Sequence, residues 1–232
     1  MTDPTPSSSA PVTAVLFDID GTLVDSNYAH VDALSRAFVD IGHPVDSWRI
    51  HRAIGKDSSL LLETLLGGEV AGARGDEAKQ RHAEHYGAHA DVDLRVFAQA
   101  TELLAELTRR GVRVVLATSA PEEELEVLRD LLDVEDALWA VTSSEDADVA
   151  KPDPGIVQGA LDKAGVPADR AVMVGDAVWD VEAAGRAGVR AVGVLTGGIS
   201  RAELTDAGAV EVWDDVAALL ADLDDSVVGR LA

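Results

Sequence analysis

Cysteine is absent from the 232 residues of this chain, which excludes disulfides, thiolate metal centres and a cysteine nucleophile. Basic residues are few. Nineteen Lys and Arg stand against 42 Asp and Glu, a formal net charge of −23, and only Lys56, Lys79, Lys151 and Lys163 are lysines. That balance argues against nucleic acid and anionic membrane as partners. An anionic substrate would have to meet a local positive site, built from a metal and a lysine, that overcomes the global field. No run of about 18 apolar residues is present, so no membrane-spanning helix is expected. Residues 1–11 are polar and rich in Ser, Thr and Pro, with neither the basic start nor the apolar centre of a secretory signal. A floppy tail and cytoplasmic residence are the expectations. The four tryptophans are scattered and read as packing.

What the chain does have is 47% hydrophobic residues, enough for a real core, and one arresting stretch near its start. Residues 12–26 read VTAVLFDIDGTLVDS. The apolar run through Leu16 and Phe17 predicts a strand buried on both faces. It ends in two acids, Asp18 and Asp20, followed by Gly21 and Thr22. Ionised carboxylates at the end of a buried strand are costly unless paired. With no Lys or Arg nearby in sequence, these two call for a bound cation. Asp-x-Asp-Gly is also ordinary turn chemistry, so the reading depends on what the later strands end in.

Beyond Ser26, a candidate N-cap, the pattern turns helical. Apolar residues recur at three- and four-residue spacing to Ile41, and further helices are predicted over 58–66 and 76–90, with no strand between 27 and 93. This segment, 26–93, is predicted to be a helical cap inserted after the first strand. Residues 12–25 and 94–232 are predicted to form the core. There strands at 112–117, 137–141, 171–174, 191–195 and 210–212 alternate with helices at 101–110, 121–132, 154–164, 179–187, 201–207 and 214–223. Strand–helix alternation of this kind predicts an α/β fold, a Rossmann-like parallel sheet with helices on both faces.

The ends of the later strands carry matching chemistry. Thr118 and Ser119 lead into a helix start, a ready anion site or an ordinary N-cap. Lys151 stands before Pro152, either as an anion ligand or as a solvated loop lysine. Gly175-Asp176 is followed by Asp180, one helical turn on. In order, four strands end in Asp-x-Asp-Gly-Thr, Thr-Ser, Lys-Pro and Gly-Asp-x-x-x-Asp.

That ordered set resembles the haloacid dehalogenase-like hydrolases over roughly residues 12–223, and the helical insertion is similar to the branch holding phosphoglycolate phosphatase and β-phosphoglucomutase. The resemblance implies that Asp18 is a nucleophile attacking phosphorus and Asp20 the general acid/base. It implies that Gly21, Thr118, Ser119 and Lys151 bind phosphate. It also implies that Asp18, Asp176 and the main-chain carbonyl of Asp20 hold Mg²⁺, with Asp180 in support. Ala177 departs from the pattern, because many members carry a Ser or Thr there. His30 reads either as a partner of Asp20 or as an exposed helix histidine. Gly55, Lys56 and Asp57 are candidates for a cap loop that reaches the substrate. His82, His85 and His89 are expected to form a solvated helix face. The implied function is a Mg²⁺-dependent phosphatase acting on a small phosphorylated metabolite. A phosphomutase of the β-phosphoglucomutase type and a phospho-receiver remain as alternatives, and the oligomeric state is open.

Overall fold

The computed structural model describes residues 12–143 and 151–231, without the side chains of residues 89–93. The predicted tail, 1–11, lies outside the described residues. Strand β1 (Ala14–Phe17) is apolar throughout and fully buried. It forms the middle of a parallel sheet. β2 (Val24–Asp25) and β3 (Arg95–Val96) pair antiparallel apart from it. β4 (Arg113–Ala117) lies on one side of β1 and β6 (Ala171–Gly175) on the other, with Phe17 opposite both Leu116 and Val174. β5 (Ala140–Thr142), β7 (Arg190–Val194) and β8 (Glu211–Trp213) complete the order β5-β4-β1-β6-β7-β8.

Alternation along β1 divides the core. Val15 and Phe17 join a cluster with Leu103, Leu104 and Leu107 of α5 (Ala100–Arg109), Leu125 and Leu128 of α6 (Glu122–Leu132) and Leu219 of α10 (Val216–Ala221). Ala14 and Leu16 face the opposite way. Their cluster takes in Ile156 of α7 (Gly155–Ala164), Val181 of α8 (Val178–Arg186) and Leu204 of α9 (Arg201–Ala207). A sheet covered on both faces by crossover helices needs apolar residues on both faces of its strands, which is why these strands read as continuous apolar runs. Local signals set the helix ends. Ser200 and Glu203 cap α9 reciprocally, each accepting from the other's N–H, a pattern that satisfies two otherwise orphaned donors.

Between β2 and β3 run α1 (Asn27–Asp40), α2 (Ser47–Ala53), α3 (Ser58–Leu66) and α4 (Gly68–Asp93). They share their own apolar cluster, including Leu34, Phe38, Ile50, Leu61 and Leu62. Helix α2 carries no periodic signal, because only Ile50 and Ala53 of its seven residues are buried. Helix α4 begins at Gly68 rather than near residue 76; its glycine-containing first turns are held by packing on α3, which overrides weak propensity. Ser26 stands at the N-cap of α1, but its hydroxyl makes no capping bond and donates to Asp20 at 2.5 Å. The first residue of β5 is also later than predicted, since 135–137 form a 3₁₀ turn.

This helical segment touches the sheet through Ala33 and Tyr86, which join the cluster of Val15 and Phe17, and through polar contacts. His51 Nε2 lies 2.8 Å from the Gly197 carbonyl, Arg52 pairs with Glu203, and the Asp57 N–H donates to the Lys151 carbonyl at 3.1 Å. Trp213 packs against the core, and Trp139 and Trp179 lie under Arg113 and Lys56. Trp48 is 68% exposed and does no packing of that kind. Among the described residues no helix is long and apolar enough to cross a membrane.

Leu107 is fully buried between α5 and the sheet. Leu107→Ala should therefore cost about 2–5 kcal/mol of stability, read as a shift in the urea unfolding midpoint at unchanged slope.

Candidate active site

The register of the three central strands brings the sequence motifs together. The Asp18 N–H continues the ladder one step past β1, donating to the Val174 carbonyl at 3.0 Å. Asp18 thus stands at the carboxyl edge of the sheet, level with the residues that follow β4 and β6. Strand order runs outward in both directions from β1, and open α/β sheets bind ligands at such a switch point.

Lys151 is 1% exposed, so it is no solvated loop lysine. Its Nζ lies 2.5 Å from Asp18 Oδ1 and 2.8 Å from Asp180 Oδ1. The other Asp180 oxygen accepts the Ala177 N–H at 3.0 Å. The turn at Ala177 is therefore closed without a side-chain hydroxyl, and a methyl suits the position because Gly55 packs against it. Asp176 accepts from Thr22 Oγ1 at 3.0 Å and from Asn27 Nδ2 at 2.9 Å.

Two glycines leave room for it. A Cβ at Gly197 would fall 1.7 Å from Asp176 Oδ2, and one at Gly21 would fall 2.5 Å from it and 2.2 Å from Asn27 Nδ2. Gly21 also has φ +74°, which favours glycine. Its N–H is taken by the Val24 carbonyl at 2.8 Å, so clearance for Asp176, rather than a free amide for phosphate, is what this position supplies. Thr118 Oγ1 accepts the Ala120 N–H at 3.0 Å. The Ser119 hydroxyl is buried and has no partner among the described residues.

Asp20 belongs to a second, adjoining network. Its Oδ1 accepts from Ser26 and lies 3.3 Å from His30 Nε2. That nitrogen is also 3.2 Å from Glu124 Oε1. His30 Nδ1 meets His82 Nε2 at 3.2 Å, and Tyr86 stacks on the His30 ring at a centroid distance of 4.1 Å. His30 is therefore buried beside Asp20. His82 is turned inward onto His30, which corrects the expectation of a solvated histidine face. His85 does lie outward, pairing with Asp40 at 2.8 Å, and the side chain of His89 is outside the described residues. Asn27, Tyr86 and Glu124 were not singled out by sequence, and His82 was expected to be solvated. Thr22 closes the first motif, but these others come from helices and only packing joins them.

The electrostatics of the two networks differ. Burial raises the Asp18 carboxyl well above its usual range; Lys151 opposes the rise, while Asp180, Asp176 and Asp20 add to it. Burial and the Asp180 charge likewise push Asp176 up to about 7, against the hydrogen bonds from Asn27 and Thr22. Burial works against the charged form of Asp20 too, yet the bonds from His30 and Ser26 prevail and lower it. His30 is raised to about 10: burial disfavours its charge, but Glu124 and Asp20 outweigh that. His82 is pushed down to about 3 by burial and the neighbouring His30 charge. His30 is thus an imidazolium that donates to Asp20 and Glu124 on one side and to neutral His82 on the other.

Ligand atoms of Asp18, Asp176 and Asp180 all lie within 4.8 Å of one another. Three buried carboxylates against one ammonium group are short of positive charge, which fits a hard divalent cation with oxygen ligands. Asp180 is already bonded to Lys151 and Ala177, leaving Asp18 and Asp176 as the side chains available for it. Asp18, Asp20, His30, Thr118, Ser119 and Lys151 line one cavity of about 360 Å³, together with Gly55 and Lys56. Asp57 instead caps α3, accepting from Ser59 and Leu60.

Residues 12–188 match the family model for haloacid dehalogenase-like hydrolases. The chain belongs to that family. It is 35% identical over 215 residues to a phosphoglycolate phosphatase of Rhodospirillum rubrum, covering 89% of this chain and 88% of that one. A phosphoglycolate phosphatase of Pectobacterium atrosepticum is 30% identical over 190 residues, covering 80% and 81%. The crystal structure of a hydrolase from Pseudomonas syringae, 33% identical, superposes with a TM-score of 0.87 over 92% of this chain and 98% of that one. As a haloacid dehalogenase-like hydrolase with these relatives, the protein is a phosphoric monoester hydrolase.

The raised Asp176 has a signed consequence for the metal-free protein. Between its ordinary 3.8 and about 7, the unfolded chain has released this proton while the folded chain still holds it. Stability should therefore fall as pH rises through that window. Thermal unfolding without metal should show that decline, Mg²⁺ at pH 8 should raise the midpoint, and Asp176→Asn should flatten both responses.

Proposed function

We propose that this hydrolase is a Mg²⁺-dependent phosphatase that cleaves a small phosphorylated metabolite through an aspartyl-phosphate on Asp18. The observation that carries the reading is the placement of Asp18 between Lys151 and Asp176, with the separately tuned Asp20 lining the same cavity. The relatives named phosphoglycolate phosphatase support it.

In this reading Asp18 attacks phosphorus and the alcohol leaves, which divides one difficult displacement into two easier steps. Lys151, Thr118 and the unpartnered Ser119 hydroxyl bind the phosphoryl oxygens and stabilise the charge that develops on them. Asp180 holds Lys151 in place. Asp18, Asp176 and the Asp20 carbonyl would hold Mg²⁺. When bound, the ion keeps these acids ionised side by side and offsets repulsion between the attacking carboxylate and the phosphoryl oxygens.

Asp20 protonates the leaving oxygen in the first half and takes a proton from water in the second. Its lowered carboxyl suits the second half directly. In the first half it carries a proton, which the second half of the preceding turnover returns to it from water, while His30, 3.3 Å away, orients its carboxyl group. The helical segment 26–93 serves as a cap over the cavity. A mutase would need a cation on the cap for a distal phosphate. Arg52 is engaged by Glu203, and Lys56 by Thr64 and the Trp179 ring, which favours transfer to water.

The decisive experiment separates the two leading acids. With a phosphate ester of an activated leaving group, Asp18→Asn should form no phosphoenzyme. Asp20→Asn should form it and then stall, with turnover reduced about 10²–10⁴-fold. An equal, few-fold loss in both variants would refute the assignment. Exhaustive chelation should abolish turnover and Mg²⁺ should restore it. Lys151→Ala should weaken inhibition by vanadate and phosphate while leaving the circular dichroism spectrum unchanged.

A further inference from the structure

We propose that the alcohol released by this phosphatase is uncharged and mainly apolar, and that Leu34, Leu61, Leu62, Ala78, Ala83 and Tyr86 recognise it. The proposal rests on the phosphatase reading and names the substrate class for that same site.

The cavity of about 360 Å³ reaches from Asp18 and Lys151 into the space between α1, α3 and α4. The phosphoryl group occupies only its inner end. Beyond it, the six side chains named present carbon, and Leu34, Leu61, Leu62 and Ala78 belong to the apolar cluster of the helical segment. Concave apolar walls with a few polar points are the usual construction of a small-molecule site.

A charged leaving group would need a cation there; the two at the inner end are held by acids, and the two at the rim, Lys56 and Lys79, have only neutral partners. Lys151 is held by Asp18 and Asp180, and His30 lies between Asp20 and Glu124. At the rim, Lys56 donates to Thr64 Oγ1 at 3.1 Å and lies 4.3 Å from the Trp179 ring centroid. Lys79 is exposed and donates to Ser59 Oγ at 3.0 Å. The remaining charged groups lining the cavity are acids, Glu123 and Glu124. A carboxylate placed on this wall would exchange water for hydrocarbon and like charge, which is unfavourable. Methylene groups would gain from the same exchange.

One polar feature of the wall points to a ligand. The Tyr86 hydroxyl is buried and has no partner among the described residues. A buried donor left unpaired is costly, and a single hydroxyl or ether oxygen on an otherwise apolar leaving group would satisfy it. Phosphoglycolate, the substrate in the relatives' names, carries a carboxylate, so the proposal separates this chain from them.

The test measures phosphate release by the full chain with Mg²⁺ from ethyl, butyl and hexyl phosphate and from 2-phosphoglycolate. The three alkyl esters have unactivated leaving alcohols, so the series reports recognition rather than leaving-group chemistry. The expected result is a kcat/KM that rises about fourfold per methylene until the wall is covered, with hexyl phosphate preferred to 2-phosphoglycolate. Ala83→Phe places a ring in the cavity from an exposed helix position and should reduce the hexyl ester's kcat/KM more than the ethyl ester's. A flat alkyl series, or a preference for 2-phosphoglycolate that Lys56→Ala or Lys79→Ala abolishes, would overturn the proposal and leave the phosphatase reading standing. No release from any ester would overturn both.

Discussion

Everything at the catalytic edge depends on the ammonium group of Lys151, buried between Asp18 and Asp180. A single cation among three inward carboxylates holds Asp18 in place while leaving the site short of positive charge. Burial, and then the neighbouring acids, raise Asp18 and Asp176. Replacing such a buried pair with hydrocarbon stabilises many folds, so stability alone does not account for this one.

The two leading acids illustrate how neighbours set different roles for the same side chain. Asp18 and Asp20 are separated by one residue on the same strand end, yet one is raised and the other lowered. Burial works against the charge of both; around Asp18 the neighbouring acids add to it against Lys151, whereas around Asp20 Ser26 and the His30 imidazolium of α1 outweigh it. That imidazolium is in turn anchored by Glu124 from α6 and His82 from α4. The sheet supplies the setting of Asp18, and the helical segment supplies half of the setting of Asp20.

Much of this could be read from the chain. The β1 run, the parallel alternation and the four strand-end motifs pointed to the fold and to Asp18, Asp20, Lys151 and Asp176, because each is a local pattern tied to a strand whose place in a parallel sheet is constrained. What escaped was the chemistry made by contact between distant segments. His82 looked like a solvated residue because helical spacing does not say which face meets α1. Glu124 is one acid in an acidic helix start, with nothing local to mark it. Helix α2 was too short for its two inward residues to form a period. Ser26 was placed correctly at a helix start, but its hydroxyl chose a charged partner over a backbone amide.

The junction between the helical segment and the sheet domain is built differently from either interior. Its members, the Arg52–Glu203 pair, His51 on the Gly197 carbonyl and the Asp57 amide on the Lys151 carbonyl, are polar and in part solvent-exposed. Such contacts contribute little net free energy, because water offers nearly equivalent partners when they separate. Further in, Ala33 and Tyr86 sit in the apolar cluster of the sheet and His30 reaches Glu124, so the outer contacts can exchange with water while the buried ones keep the two parts in register.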